Sequence, residues 1–544
     1  MNRRDLLLLG NNTNITTDNT SRQITTGIEP YTGKFDTVSA GHLLRRTTFA
    51  CTKENIDKFS KMSLSEAVDA ILSPEPSPAD PLDPTTGKTW HDLPYDSKNN
   101  GLYVRYLKTW WLGNILKSDP KIHQKLTLFW HNHFVTEAAS VNDARYIYSY
   151  YKTLQNYALG NIQLFTMAIT VEPAMLRYLN GNTNTASRPN ENYGRELQEL
   201  FTIGKGPEIS PGNYTNYSEH DVQTAAKVLT GWKDNTTDVT SSFILNNHDK
   251  TDKTFSSDYG NKTVKGRNDS KAGLEELNDM IGMIFSQTAT SQFLTRKLYR
   301  WFVYYEIDAQ TEANVIVPLA KIMVDNNFEI KPVLRALFSS AHFNDSANIG
   351  CMIKNPVDFI TQMIHGLGNN IPDMDKDPVN FYKYGFNLAA ALAVLEMNLF
   401  DPPNVAGWSE YYQEPDYYRL WLNTATFPQR NGYTDVAVYG SANLGSSFAM
   451  DVIAFTEQHC SNPADAKTII KDITDYLMVI PLTQDQLDFI LSNIFIPGLP
   501  DYEWTVEWSD YKSNPNDKKK KSLVQTKLMG LLKFILRLPE YQLM

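Results

Sequence analysis

The chain contains 544 residues, of which 42% are hydrophobic and 21% charged, and this composition is typical of a globular protein with a large core. Its net charge of −10 argues against a general nucleic-acid binder and against a protein that binds anionic membranes. The three cysteines are far apart and give neither a disulfide framework nor a CxxC metal site, and no apolar run reaches the ~18 residues of a transmembrane helix.

The amino terminus begins like an export signal. Arg3 and Arg4 precede a run of leucines, as in a twin-arginine signal, but the apolar stretch ends at once in Asn11. Residues 10–34 are rich in Asn and Thr and poor in large apolar side chains. We therefore interpret residues 1–34 as a flexible arm or a degenerate export signal, and residues 35–544 as the folded domain.

Helical periodicity dominates the rest of the chain, and alternating strand patterns are nearly absent. Proline- or Asn/Thr/Gly-rich stretches interrupt it and predict loops at 73–101, 180–190, 204–217 and 233–270. Apolar stripes at helical spacing occupy 102–117, 141–158, 218–229, 290–306, 378–396, 466–478 and 519–537. The sequence predicts an all-α fold: one large multi-helical globular unit with long irregular loops.

Two histidines, His131 and His133, follow a helix that begins near Asp119. On a continuous helix they would point about 200° apart and could not share one metal. If the helix ends there and the chain extends, both side chains point to one side, a spacing known for metal ligands. We predict that both bind a metal; the alternative is a pair of hydrogen-bonded core residues.

Residues 190–204 combine three carboxylates, an arginine and an amphipathic helix that stops at a glycine. The apolar stripe of that helix consists of Tyr193, Leu197, Leu200 and Phe201. Glu196 lies at the edge of the stripe, so it is partly desolvated and needs a cation, a metal or a proton. We predict that Glu196 and Glu199 are catalytic and that Arg195 orients Glu199 or clamps an anionic substrate group. A surface salt-bridge network is the alternative.

Further acids and histidines follow. Asp221, three residues after Ser218, is predicted to be catalytic, although a helix-capping role explains the spacing equally well. His248 and Asp249 lie in a loop and are predicted metal ligands. Histidine and carboxylate ligands suit Zn, Mn, Fe or Mg, so a divalent metal is the expected cofactor. The same groups could instead form a metal-free acid–base pair.

Tyrosines are numerous and clustered, and aromatic faces of this kind can stack on sugars or peptides, although most pack helices. The densest clusters are Tyr146/Tyr148/Tyr150/Tyr151 and Tyr411/Tyr412/Tyr417/Tyr418. They make a carbohydrate or an envelope protein the expected partner.

Eight segments in this order resemble the DUF1800 family of bacterial proteins of unknown function. They occupy residues 41–49, 129–134, 190–204, 221–232, 248–255, 354–356, 402–408 and 538–542. The resemblance covers roughly residues 37–544, and it implies a cell-envelope location because relatives often begin with a twin-arginine signal. Trp232 and Trp408 each follow a glycine within these segments, and both are predicted to line a substrate pocket.

Three hypotheses follow. The first is a metal-dependent envelope enzyme, a hydrolase or oxidoreductase, whose side chains converge on one pocket. The second is a non-catalytic polysaccharide- or protein-binding or assembly protein of the envelope. The third is a metal-free glycosidase that pairs Glu196 with Asp221. The pocket of the first hypothesis comprises Glu196, Glu199, Asp221, Arg195, Trp232, Trp408, His131, His133, His248 and Asp249.

Overall fold

The fold is given by a computed structural model that describes residues 24–210, 213–408, 421–441 and 448–544. Helices make up 57% of it and strands 5%, which confirms the prediction of a mostly helical protein. The leucine-rich start of the chain lies outside the described residues. Among those that are described, no helix combines the length and the apolar character needed to cross a membrane.

The first half of the helices surrounds the segments singled out above. They are α1 (Thr37–Thr47), α2 (Lys53–Phe59), α3 (Leu64–Ile71), α4 (Asn100–Leu116), α5 (His123–His133), α6 (Ala138–Val141), α7 (Ala144–Tyr157), α8 (Ile162–Thr170), α9 (Pro173–Tyr178), α10 (Asn192–Glu196), α11 (Glu219–Val228) and α12 (Ala272–Phe285). Helix α10 continues into a π-helical turn, Leu197–Thr202.

The second half completes the fold. These helices are α13 (Thr288–Phe302), α14 (Ala309–Thr311), α15 (Val317–Asp325), α16 (Ile330–Phe338), α17 (Pro356–Leu367), α18 (Pro378–Val394), α19 (Thr426–Tyr439), α20 (Val452–His459), α21 (Ala466–Leu477), α22 (Gln484–Phe489), α23 (Tyr502–Ser513) and α24 (Lys518–Ile535). Further π-helical turns are Glu312–Ile316 and Ile490–Phe495, and short 3-10 turns are Gly181–Thr183, Leu245–Asn247, Ser257–Tyr259, Ser346–Asn348 and Pro539–Gln542.

Local signals set the ends of these helices. The Asp36 side chain accepts hydrogen bonds from the amides of Val38 and Ser39 and so caps α1. Helix α17 begins after the capping residue Asn355 with a proline in its first turn, and it ends at Gly368, whose φ of +66° suits glycine. Each predicted helical stripe corresponds to a helix, with boundaries within four residues of the prediction.

Three short antiparallel strand pairs occupy stretches that the periodicity predicted as loops. They are β1 (Glu208–Ser210) with β2 (Asn213–Tyr214), β3 (Trp232–Asn235) with β4 (Thr240–Phe243), and β5 (Lys253–Thr254) with β6 (Thr263–Val264). Strands of two to four residues are too short to show an alternating pattern in the sequence. They brace the loops around α11 and α12.

The core is rich in aromatic side chains. Helix α5 packs on α7, α7 on α9, and α4 on α18. The first predicted tyrosine cluster lies inside this core, because Tyr146, Tyr150 and Tyr151 are at most 1% exposed. These rings pack helices and cannot serve as a sugar platform. The second cluster, residues 411–418, lies outside the described residues.

Candidate functional site

His131 is a buried, neutral core residue. Its Nε2 accepts a hydrogen bond from the Phe400 amide at 3.0 Å, so Nδ1 carries the proton and donates to Tyr150 Oη at 2.9 Å. Burial, with a smaller contribution from the charge of Lys108, lowers the pKa of His131 to about 3. Both ring nitrogens are therefore occupied, Nε2 by the Phe400 amide and Nδ1 by the Tyr150 hydroxyl, and neither is available to a metal.

The next two residues, Asn132 and His133, form hydrogen bonds with two other segments of the chain. Asn132 Oδ1 accepts a hydrogen bond from the Trp408 amide at 2.7 Å, and His133 Nε2 donates to the Phe201 carbonyl at 3.0 Å. Gly407 has a φ of +96°, and a Cβ there would lie 2.3 Å from Asn132 Oδ1, so only glycine fits. The His-Asn-His segment at the end of α5 therefore connects this helix to the loop at 400–408 and to the π turn after α10.

We expect His131→Leu to destabilise the protein by roughly 1–3 kcal/mol, because it leaves the buried Phe400 amide without its acceptor. The wild type should also lose stability as the pH falls from 6.5 towards 3, since the unfolded imidazole gains a proton there and the folded one does not. Urea unfolding at pH 7 and pH 5 measures both effects. His220→Leu, at an exposed histidine, provides the matched control. If His131→Leu lowers the free energy of unfolding no more than His220→Leu does, the structural role of His131 is contradicted.

His248 belongs to a second buried cluster. Its Nε2 lies 3.2 Å from Glu276 Oε2, and Lys253 Nζ lies 2.6 Å from the same oxygen. Although burial alone would raise it, hydrogen bonds from His248 and Lys253 leave the pKa of Glu276 below its ordinary value. Asp249 turns away and binds the Thr251 amide and hydroxyl. This cluster anchors the loop between β4 and α12.

The structure does not bring together the predicted metal ligands, His131, His133, His248 and Asp249, within the part of the chain that it describes. No group of three or more His, Cys, Asp or Glu residues is placed there to hold a metal ion. The physical reason is that α5 runs unbroken through His133, so its two imidazoles point to opposite sides of the helix and cannot share one metal ion.

Asp221 also has a structural role. The carboxylate is fully buried and accepts hydrogen bonds from the amide and hydroxyl of Ser218, both at 2.8 Å, and from the amide and hydroxyl of Ser256, both at 2.7 Å. Four donors saturate a carboxylate. The capping role is correct: Asp221 lies in the first turn of α11, caps it together with Ser218, and binds the loop that contains Ser256.

The two predicted tryptophans lie inside the protein. The Trp408 ring is 1% exposed and meets the His131 ring edge-on at 5.2 Å between centroids. The Trp232 ring is also buried and packs against Phe243 at 5.5 Å. Both rings are buried against other aromatic side chains, and neither is open to a substrate in the structure.

The helix predicted at 190–204 is present but widens midway. The predicted stripe members Tyr193, Leu197 and Phe201 are buried, whereas Leu200 is partly exposed. A π turn with one extra residue shifts the side chains that follow it, and such turns occur often at functional sites. The turn closes at Gly204, whose φ of +70° and close contact with Phe293 require glycine.

The widened turn exposes a carboxylate pair, Glu196 and Glu199. Glu199 forms an ion pair with Lys205, whose Nζ lies 2.6 Å from Oε1, and its Oε2 accepts a hydrogen bond from the Tyr217 hydroxyl at 3.3 Å. Glu196 is half-buried and accepts no hydrogen bond from any residue that the structure describes. Burial and then the charge of Glu199 raise the pKa of Glu196 to about 7, against the smaller opposing charges of Arg195 and Lys205. At neutral pH a substantial fraction of Glu196 therefore carries a proton and can act as a proton donor.

Tyrosines and further acids border the pair. Burial and the charges of Glu137 and Glu196 raise the pKa of Tyr178 to about 12, which places its hydroxyl close to both acids. The Tyr214 ring lies 5.1 Å from Lys205 Nζ. Tyr178 and Tyr214 are both partly exposed. The surface around the pair is thus acidic and aromatic.

Arg195 lies beside the pair without contacting Glu199. Its Nη1 and Nη2 donate to Glu219 at 2.9 and 2.5 Å, and Nη2 also lies 3.3 Å from Glu191. Arg195 therefore neither orients Glu199 nor is free to clamp a substrate; it forms the surface network that was the alternative interpretation.

Comparison with known families decides what the chain is related to. The model of the family described as "Protein of unknown function (DUF1800)" matches residues 42–543. The chain belongs to the DUF1800 family. No curated protein and no solved structure gives a match.

Three of the eight DUF1800-like segments of this protein meet in a buried charged cluster, which we call the Asp358 cluster. It contains Asp358, Lys125, Lys354, Arg46 and Arg430, all at most 1% exposed. Lys354 Nζ donates to the Tyr541 carbonyl at 2.7 Å, and Arg430 Nη2 donates to the Lys354 carbonyl at 2.8 Å. The segments at 41–49, 354–356 and 538–542 therefore share a structural role.

Sequence reasoning missed three residues of the candidate site in this DUF1800 protein: Lys205, Tyr217 and Tyr178. Lys205 directly follows the glycine that ends the helix, so its proximity to the pair could have been noticed. Tyr217 and Tyr178 come from other elements and gave no local signal. Glu276 and Lys253, which hold His248, were missed for the same reason.

Proposed function

We propose that this DUF1800 protein is a hydrolase that cleaves glycosidic bonds by general acid–base catalysis at Glu196 and Glu199. One observation carries the proposal: Glu196 has no hydrogen-bond partner among the described residues and a pKa of about 7, and its neighbour Glu199 is paired with Lys205. A pair of carboxyl groups with separated protonation is the arrangement that glycosidases use. Glu199 takes the place that the sequence had given to Asp221.

The roles follow from the protonation states. Glu196 donates its proton to the leaving glycosidic oxygen as the bond to the anomeric carbon breaks. The carboxylate of Glu199 stabilises the positive charge that develops on the sugar, and either attacks the anomeric carbon or takes a proton from the attacking water. Lys205 and Tyr217 act as positioning residues, because both contact the carboxylate of Glu199.

The electrostatics of the surface indicate the class of substrate. Glu191 and Glu219 share the guanidinium of Arg195, the residue before Glu196, and the charge of Glu137 acts on Tyr178 together with that of Glu196. Such a surface repels anionic polymers and favours neutral or amino sugars. The partly exposed rings of Tyr178 and Tyr214 are suited to stacking on a sugar face. With the twin-arginine-like start of the chain, these features support a polysaccharide of the cell envelope as substrate.

We expect the purified protein to release reducing ends from neutral or amino-sugar polysaccharides, and Glu196→Gln to lower kcat at pH 7 by about 10²–10⁴-fold. Glu199→Gln should have a similar effect, while Glu191→Gln, in the same segment, should leave kcat nearly unchanged. Reducing-end assays over a panel of neutral, amino-sugar and anionic polysaccharides measure this. Cleavage that survives Glu196→Gln contradicts the proposal, and binding without cleavage by the wild type supports a non-catalytic binding protein instead.

A further inference from the structure

A buried arginine in α1 has a sulfur atom in place of an acidic partner. Arg46 is 0% exposed, and its Nη2 lies 3.0 Å from the Asn348 carbonyl and 3.1 Å from Cys351 Sγ. Nε and Nη1 of the same guanidinium have no hydrogen-bond partner among the described residues. Buried donors of a charged group without an acceptor are costly, so this arrangement favours an additional acceptor next to Sγ.

The sulfur differs from the other two in the chain. Cys351 is partly exposed, and Sγ also lies 3.4 Å from the Asn348 carbonyl and 3.5 Å from the Val303 carbonyl. Cys51 and Cys460 are buried, and burial raises the pKa of both thiols, that of Cys460 to about 12. Exposure and a neighbouring cation are the features of oxidation-sensitive cysteines.

We propose that Cys351 is a redox modification site, at which a peroxide converts the thiol into a sulfenic acid that Arg46 stabilises. In this step an S–O bond forms and the O–O bond of the peroxide breaks. The sulfur loses two electrons, and the second peroxide oxygen leaves as water with the thiol proton. The new oxygen, bonded to Sγ beside Nη2, is an additional acceptor next to a guanidinium that has unpartnered donors.

Hydrogen peroxide followed by dimedone, with peptide mass spectrometry, tests the proposal on the full chain. We expect at least about tenfold more dimedone adduct on Cys351 than on Cys51 or Cys460, since sulfenate formation follows thiol exposure and a cationic neighbourhood. In urea, where the fold no longer protects them, the three cysteines should react alike. Equal labelling of the three in the folded protein overturns the proposal, whatever the variants show.

The role of Arg46 is tested with Arg46→Lys, which keeps the charge but removes the fork of donors. We expect several-fold less adduct on Cys351 in this variant, and no change in Arg335→Lys, a matched exchange at an exposed arginine. Unchanged labelling in a folded Arg46→Lys protein overturns the proposal. If the variant does not fold, the ranking of the three cysteines in the wild type decides.

Discussion

Asp358→Ala should destabilise the protein by about 3–5 kcal/mol, because it leaves the buried ammonium of Lys125 without a counter-charge. Both side chains are at most 1% exposed and form a direct ion pair. Asp358 also accepts a hydrogen bond from Asn355 Nδ2 at 2.7 Å, so its loss disturbs the start of α17 as well. The free energy of unfolding, measured in urea, gives the size of the effect.

Two further variants separate the pair from its surroundings. Asp375→Ala removes an exposed partner of Lys117 and should cost less than about 1 kcal/mol. Replacing both members of the buried pair, Lys125→Met with Asp358→Leu, should be less destabilising than Asp358→Ala, since the ammonium of Lys125 is then removed together with its counter-charge. An Asp358→Ala variant that is as stable as the Asp375→Ala control is incompatible with a buried ion pair between Lys125 and Asp358.

Glu276→Ala is the second substitution with a large expected effect, again about 3–5 kcal/mol, because Lys253 and His248 lose the carboxylate that neutralises and orients them. Oε1 of Glu276 also accepts the Arg267 amide at 2.7 Å, so the loop before α12 loses an anchor. Urea unfolding and limited proteolysis of residues 244–270 measure the loss.

The neighbouring residue provides the control for this prediction. Glu275 pairs with Arg267 on the surface, and Glu275→Ala should change stability by less than about 1 kcal/mol. The Glu276 substitution should also weaken the proposed site indirectly. The loop that it anchors carries Tyr259, whose hydroxyl donates to Gln198 in the π turn at 2.9 Å. Equal stability and equal proteolysis of the two variants would show that the cluster has no anchoring role.

Much of the helical fold could be predicted because its signals are local. The stripe at 102–117 corresponds to α4 and that at 218–229 to α11, since apolar spacing and capping residues act within a few positions. The π turn after Glu196 could not be predicted, because the same residues fit an ordinary α-helix. In the structure the turn makes contacts with distant residues, since Gly204 lies against Phe293 and Gln198 accepts a hydrogen bond from Tyr259.

The candidate site was predicted in part, and the reason is physical. Glu196 lies at the edge of an apolar stripe, so its partial burial could be inferred from spacing alone. The histidines and Asp221 attracted attention because of their residue types, but their partners come from distant positions. Phe400 saturates His131, and Ser256 saturates Asp221. Whether a polar side chain is free or already bonded depends on tertiary contacts that no local pattern records.

The protonation of Glu196 is the claim on which the proposed function depends, and carbon-13 NMR of protein labelled at the glutamate side-chain carboxyl measures it directly. One carboxyl resonance should titrate with a midpoint near pH 7, disappear in Glu196→Gln, and shift towards the ordinary value of 4.5 in Glu199→Gln. A Glu196 resonance that titrates near 4.5 in the wild type would contradict the account and leave this pair of carboxylates without its acid.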